Sequence, residues 1–444
     1  MVSDIIVRNY KKVTLIFLGL LLLFLASNTI ISVYIVIFIT LLTFFLSNQK
    51  CNINDVHKIK KIERYAVPFA FLILVLFNIF GLVKTLTGTI ENKDSISLLF
   101  VGVTFYGLSA GAYISDIKNR YTRDNYVDEF IDLFLYLILP FKLLAGPLEN
   151  PQMIKQFNDI SFSFKSTARF LYSFSWISLG LFMKFCIASR LTPSELLHFT
   201  DPLSSFICAF IFELKFYFDF AGYSFIAFGL AKLINLKLTL NFNHPFTARN
   251  VVEFWHKWHI TLGKFLQKYI LYKNLYLFNS RISKAIFAST IFIISAMWHG
   301  GTINYFFWGL FHGLVYLFYI QKFKHLKIPR FLGYLSMFLF FVFGRMIAID
   351  INSGRLLEKW VNYFNFNSYS EFTLVNLNEL LSLGLSTGST LYMCMIFIFA
   401  EFWQVKFYNR TSYHLFRKPI ASVFLFLITI LFGFNSMELL YARI

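Results

Sequence analysis

Charged residues are scarce in this chain: Asp, Glu, Lys and Arg make up 14% of its 444 residues, and only 23 of them are acidic. An ordinary soluble surface is thereby excluded, because soluble domains carry roughly a quarter of their residues as charges. Cysteine is scarcer, with Cys51, Cys186, Cys208 and Cys394 far apart and no CxxC pair, so no disulfide framework or thiolate metal site is legible. These four read as packing residues. No Pro-, Gly- or Ser-rich stretch divides the chain and no repeat period recurs, which excludes linked soluble domains and solenoid arrays. The longest polar segment, 350–388, is too short to form a catalytic domain of its own.

What is abundant is apolar surface, with 57% hydrophobic residues and 59 Phe. Windows long enough to cross a bilayer recur from 13–27 and 29–47, through 203–218 and 222–236, to 389–405 and 420–436. They predict an all-α, polytopic integral membrane protein with about ten to twelve transmembrane helices plus re-entrant or interfacial ones. The first window ends at Phe24-Leu25-Ala26 without a small-x-small cleavage pattern, so 13–47 reads as an uncleaved helical hairpin. The whole chain, 1–444, reads as one membrane-embedded unit with a catalytic core over about 100–320.

Lys and Arg number 41, for a net charge of +18. In a membrane protein that excess reports orientation before it reports a partner, and nucleic acid is not implied. Clusters at Arg8–Lys12, Lys50–Arg64, Lys118–Arg123, Lys322–Arg330 and Arg410–Lys418 are all cytoplasmic in one topology. That topology sets 84–95 and 350–388 outside, the end of the helix bearing His299 toward the outside, and the basic stretch Arg249–Lys284 inside.

Ionisable residues at membrane depth are costly and mark function by default. The segment SAMWHGGTINYFFWGLFHG, 295–313, carries His299 and His312 in such surroundings, and Gly300-Gly301 after His299 permits close approach of backbone or substrate. His312 reads as a core histidine. In NVVEFWHKWHITLGKFLQKY, 250–269, Asn250 and Glu253 have capping-box spacing. At 100° per residue a single helix would gather Phe254, Trp255, Trp258, Leu262, Phe265, Leu266 and Tyr269 on one arc and His256, Lys257, Lys264, Gln267 and Lys268 opposite. That describes an interfacial helix, which has no need of His259 at the arc's edge. Asp219 stands in an apolar run after Glu213 and Lys215, and a buried acid needs a cation, either Lys215 or a basic residue from another segment. No HxxHH run supports a histidine metal centre, so no metal site is assigned.

These blocks resemble the membrane-bound O-acyltransferases, in the bacterial branch that holds the alginate O-acetyltransferase membrane subunit and the D-alanyl transferase of teichoic acids. The resemblance runs through VGVTFYGLSAGAYISDI (101–117), LLAGPLENP (143–151), YFDFAGYSFIAFGLA (217–231), NFNHPFTARNVVEFWHKWHITLGKF (241–265) and the segment holding WHG. EFW-x-x-WHIT followed by WHG carries most of the specificity. The resemblance implies a ring of tilted helices around a thinned centre. It also implies that His299 is the catalytic histidine, that His259 is the second histidine of the site, and that Asp219 lies in a core-lining motif. Trp298, Trp258, Asn304, Lys257 and Lys264 are the further candidates for donor binding or lining. Departures exist: His256 and Lys257 stand where relatives usually carry two arginines, and Gln267 and Lys268 stand where an arginine and an acid are common.

The function implied is transfer of an acyl group, most simply acetyl, from a cytoplasmic thioester to a hydroxyl of an extracytoplasmic polysaccharide or cell-wall polymer. A neutral imidazole can take the hydroxyl proton while a donor stabilises the tetrahedral oxyanion. The basic inner face suits acetyl-CoA or an acidic acyl carrier protein as the donor substrate, with no tightly bound cofactor. A separate extracytoplasmic acyltransferase partner is implied, in a multi-pass protein of a bacterial cytoplasmic (inner) membrane, surrounded by lipid. The alternatives are D-alanyl transfer from a carrier protein to teichoic acid, and a transporter or flippase with no acyl chemistry.

Overall fold

The computed structural model describes residues 2–27, 30–48, 64–68, 70, 103–116, 125–143, 146–162, 166–299, 303–350, 352–370, 372, 374–384, 388–407 and 413–433. Every long element among them is a helix, and no extended strand forms. Among the described residues, five helices are long and apolar enough to cross a membrane, and shorter apolar helices span Ser32–Asn48 and Pro419–Phe432. The chain is a multi-pass membrane protein. Window 65–83 and the outer segment 84–95 fall almost wholly outside the described residues, as do Cys51 and Gly300-Gly301.

Among the described residues, the opening helices include α1 (Val2–Ser27), α2 (Ile30–Asn48), α3 (Val103–Ser115) and α4 (Tyr126–Ile138). Asn125 starts α4 by accepting the Val127 amide at 2.9 Å. Lys12 of α1 donates to Asp132 of α4 at 2.6 Å, so the two buried charges neutralise each other.

The centre is built on α5 (Thr167–Leu181), which runs on as a π-helix over Phe182–Ile187, and α6 (Pro202–Leu233). Windows 203–218 and 222–236 predict two spans, whereas α6 is one unbroken helix of 32 residues, started by Asp201 on the Ser204 amide with Pro202 in its first turn. The polar residue between the two windows, Asp219, is packed inside the helix bundle instead. A Cβ on Gly222 would lie 2.8 Å from the Gly180 carbonyl oxygen, and one on Gly180 would lie 2.5 Å from the Gly222 oxygen, so the two backbones touch. Close approach of small residues substitutes for the hydrophobic drive that lipid cannot supply between helices.

The segment 250–269 is not one helix. α7 (Val251–Trp255) stops, His259 takes a left-handed backbone with φ 43°, and α8 (Ile260–Leu266) restarts and continues as a π-helix over Gln267–Leu271. Tertiary packing supplies the reason. Phe254 and Trp258, before the break, join the large core around Trp176, Phe218 and Phe225; Leu262, Phe265 and Leu266, after it, join a second core with Phe105, Ile291 and Trp298. The break is where the chain crosses from one core to the other. The Asn250 cap on the Glu253 amide forms as the spacing predicts, at 2.9 Å, with the Glu253 carboxylate returning to the Arg249 amide.

Next come α9 (Arg281–His299) and α10 (Ile303–Phe318), followed by α11 (Arg330–Ile347). α9 and α10 run antiparallel in close contact: a Cβ on Gly309 would meet Ile293 Cα at 2.7 Å, and one on Gly313 the Ser289 carbonyl at 2.7 Å. The 350–388 segment holds two helices, α12 (Ser353–Phe364) and α13 (Leu374–Gly384), before α14 (Gly388–Phe407) and α15 (Pro419–Phe432). Cys186, Cys208 and Cys394 are buried thiols.

Candidate active site

A cavity of about 170 Å³ opens along the seam between the two cores. His259 and His299 both line it, together with Trp258, Phe220, Tyr305 and Arg345. Ala288, Ile291, Phe292, Ser295 and His299 present one stripe of α9 to it, and Tyr305, Trp308, His312 and Tyr316 present the facing stripe of α10. From Ala288 to His299 the stripe runs for about 16 Å at the helical rise of ~1.5 Å per residue. The cavity is thus a channel, with Gln267, Leu271, Ala288 and Tyr316 near one end and His299, Tyr305 and Arg345 near the other.

The backbone around His259 is held by its neighbours. On one side the Lys257 carbonyl accepts the Asn243 amide at 3.0 Å; on the other the Ile260 amide donates to the Asn241 carbonyl at 2.9 Å. Thr261 adds two bonds to Asn241 Oδ1, from its amide at 3.2 Å and its hydroxyl at 2.5 Å, and Thr261 Oγ1 also accepts the Leu148 amide at 3.0 Å. These bonds offset the left-handed backbone, which costs a non-glycine residue about 1–2 kcal/mol. The imidazole stands edge-on to Phe220 at 4.8 Å between centroids and is buried. Burial, and then the neighbouring His299, push its pKa well below the usual histidine value, so the ring is neutral at neutral pH.

His299 closes the last turn of α9, its ring 4.6 Å from that of Trp298. Trp298 turns away from the cavity into the second core, edge-on to Phe105 at 5.7 Å. Trp258 lines the cavity, stacked on Phe216 and Phe254. His312 also reaches the cavity among Trp255, Trp308 and Phe340, and neither ring nitrogen finds a hydrogen-bond partner among the described residues.

The other candidates lie off the cavity wall. Asp219 forms a buried ion pair with Lys184 of the π-turn, not with Lys215, which donates instead to the Leu191 carbonyl. Asn304 donates to the Asp350 carbonyl at 3.3 Å and ties the start of α10 to the loop before α12, where Arg355 and Lys359 bind the Asp350 carboxylate. Lys257 bridges Glu253 at 2.8 Å and Thr247 at 2.9 Å. Lys264 is exposed to solvent. Lys268 pairs with Asp116 at 2.6 Å, and Lys273 bonds Ser115, so much of the basic stretch 249–284 is consumed internally. Lys264, Arg281 and Lys284 remain exposed without an ion-pair partner among the described residues.

Two groups escaped the sequence reading. Arg345, from the last turn of α11, donates through Nε to Glu213 Oε1 at 2.7 Å and lies over the rings of Phe212 and Phe216. Glu213 was visible as an acid in an apolar run, but its partner is more than a hundred residues away in sequence. Behind Trp258 sits a second buried polar knot, in which Tyr217 donates to Glu401 and meets the Tyr413 hydroxyl at 2.9 Å. The Tyr413 amide donates to His244 Nε2 at 3.2 Å, which places the His244 proton on Nδ1, facing Glu401 at 3.4 Å.

The sequence model of the MBOAT, membrane-bound O-acyltransferase, family matches residues 23–329. Peptidoglycan O-acetyltransferase of Helicobacter pylori is 29% identical over 344 residues, which cover 70% of this chain and 64% of that protein. Probable alginate O-acetylase AlgI of Pseudomonas aeruginosa is 25% identical over 331 residues, 70% of this chain and 60% of the relative. Teichoic acid D-alanyltransferase of Streptococcus thermophilus is 26% identical over 248 residues, 51% of this chain and 58% of the relative. The chain therefore spans less than two thirds of the length of these relatives.

Proposed function

The chain belongs to the membrane-bound O-acyltransferase family, and from that premise we propose that it moves an acyl group, acetyl before others, from a cytoplasmic thioester to a hydroxyl presented from outside. The observation that carries the reading is the meeting of His259 and His299 in one channel, two imidazoles that the sequence separates and the seam between the cores joins. The names of two relatives, a peptidoglycan O-acetyltransferase and an alginate O-acetylase, favour acetyl as the group and a cell-surface glycan as its destination.

Acetyl-CoA and an acyl carrier protein both present the thioester on a slender phosphopantetheine arm. The channel's length and its aromatic and aliphatic lining suit such an arm, and Lys264, Arg281 and Lys284 suit the phosphates left at the inner end. At the other end His299 accepts the proton of the acceptor hydroxyl as its oxygen bonds to the thioester carbonyl carbon. The tetrahedral oxyanion collapses, the C–S bond breaks, and the thiolate leaves with the proton that His299 returns. Neutral His259 donates an N–H to the oxyanion or aligns the acceptor. The acyl group then reaches the outer side without a separate carrier, and a distinct extracytoplasmic partner completes delivery to the polymer, in a cytoplasmic membrane.

The test uses the full chain in proteoliposomes supplied with labelled acetyl-CoA and, in cells, mass spectrometry of surface glycans. His299→Ala should abolish acetyl release and glycan O-acetylation at unchanged protein level. Retention of both would overturn the proposal. Transfer from a D-alanyl carrier protein, with none from acetyl-CoA, would shift the donor to that of the D-alanyltransferase relatives.

A further inference from the structure

The buried knot around Glu401 reaches further than the helices it joins. Glu401, on α14, is wholly buried, and its carboxylate accepts the Tyr217 hydroxyl of α6. Tyr413 completes the knot. Its hydroxyl meets that of Tyr217 and accepts the His244 amide at 3.0 Å, while its own amide donates to His244 Nε2 at 3.2 Å. One residue thus holds His244 by main chain and by ring. The imidazole lies on the Tyr413 ring at 4.0 Å between centroids and turns its Nδ1 edge to Glu401 Oε1 at 3.4 Å.

From His244 a path leads to the candidate active site. Asn243, the residue before it, donates its amide to the Lys257 carbonyl at 3.0 Å. The His244 carbonyl accepts the Thr247 hydroxyl at 2.7 Å, and Thr247 Oγ1 accepts from Lys257 Nζ at 2.9 Å. Lys257 is therefore gripped by its carbonyl and by its ammonium, two positions before His259. Tyr217 adds a ring contact with Trp258, next to the same histidine, at 6.1 Å between centroids.

Among the described residues, four non-glycine residues have a left-handed backbone, and three of them, His244, His259 and Tyr413, lie on this path. Such strain persists only where the surroundings over-determine it, and it collects where function needs a fixed geometry. Cohesion between α6 and α14 would be served by Tyr217 and Glu401 alone. The strained residues beyond them carry the restraint onward to the break in the helix at His259. The family match ends at residue 329, so Glu401 and Tyr413 are supplied by a part of the chain outside it.

We infer that Glu401 and Tyr413 are positioning residues for His259: through His244 they fix the loop 241–247, and that loop sets where the His259 ring stands in the channel. Glu401, Tyr413 and His244 do not themselves line the channel. The inference rests on the acyl-transfer reading for its effect on rate but not for its effect on the backbone at 257–261.

Two measurements on the full chain in nanodiscs keep these apart: hydrogen exchange of the 257–261 amides, and acetyl-CoA turnover per folded protein. Tyr413→Phe strands the His244 amide with little change of volume, and Glu401→Leu removes the acceptor of Tyr217. Glu401→Gln keeps an oxygen there. Asp132→Asn, which breaks the buried pair with Lys12, is the destabilised control away from the path. Tyr413→Phe and Glu401→Leu should speed exchange at Ile260 and Thr261 by roughly tenfold, the scale of one lost buried hydrogen bond. They should lower kcat roughly ten- to a hundred-fold, as small misplacements of a reacting group do, with KM for acetyl-CoA little changed. Glu401→Gln should recover most of both, and Asp132→Asn should lower the melting temperature and move neither. If Glu401→Leu does not fold, Tyr413→Phe decides alone. Unchanged exchange in the knot variants, faster exchange at a full rate, a rate loss shared by Asp132→Asn, or no recovery in Glu401→Gln would each overturn the inference. A wild-type chain without turnover, whose exchange at 257–261 still follows the knot, would keep the restraint and sink the acyl-transfer reading.

Discussion

Asn241 and Thr261 are joined twice, through the Thr261 amide and hydroxyl to one side-chain oxygen, and this clamp sits two residues beyond the left-handed His259. Asn241 also reaches Ser224 of α6 at 3.4 Å, so the clamp fixes the histidine's backbone to the central helix. The position of one candidate catalytic ring is thus set by a residue that never touches the channel.

Asn241→Ala should cost about 1–3 kcal/mol by stranding the donors of Thr261. It should also lower acetyl-transfer turnover, because His259 would lose the restraint on its strained backbone. Thermal unfolding and turnover of the purified protein check both. A variant with an unaltered melting temperature and an unaltered rate would remove the clamp from the account.

The depressed pKa of His259 sets a direction for pH dependence. Its folded-state pKa lies below the unfolded value of about 6.5, so below that pH the unfolded chain binds the extra proton and the folded one does not. The contribution to stability is full above about pH 6.5 and is lost as pH falls. Between about pH 7 and about pH 5 the melting temperature should decline, and the decline should be shallower in His259→Asn. Parallel curves for the two proteins would contradict the burial-driven shift.

The Lys184 and Asp219 pair is buried and off the channel. Asp219→Asn should destabilise by about 3–5 kcal/mol, because it leaves a buried ammonium unpaired. Replacing both residues by apolar ones of similar size should recover most of that loss. Turnover of the double variant, measured at equal amounts of folded protein, should return with stability. Persistent loss of activity in a well-folded double variant would give Asp219 a chemical duty.

Two glycines should behave oppositely. Gly180→Ala forces a Cβ to within 2.5 Å of the Gly222 oxygen and should cost about 1–3 kcal/mol or more. Gly263 has only the Trp255 oxygen nearby, at 3.7 Å, so Gly263→Ala should leave stability level or raise it by up to about 1 kcal/mol. Denaturation of the two variants side by side reads the contrast.

Much of this protein follows from local chemistry. Long apolar windows with few charges can satisfy their backbone groups in lipid only as helices, so the helical class was legible. The Asn250 cap was legible for a similar reason, since Asn and Glu three apart meet orphan amides within one turn. His299, with its apolar approach and the glycines after it, stood out because an imidazole is expensive at that depth.

Apart from the sharing of one site by His259 and His299, which the family resemblance implied, what lay beyond the sequence was every relation that depends on two distant segments. No glycine or proline marks 256–259, so the periodicity predicts a continuous helix, and only the pull of two separate cores breaks it at His259. Of the cations open to Asp219, packing chose Lys184 of another segment over Lys215, and Glu213 found Arg345, because helix contacts choose partners by proximity in space and not along the chain. The apolar patterning by itself determined that helices form and which residues are costly to bury. Tertiary packing alone decided which of those costly residues meet at a channel and which cancel one another within the protein.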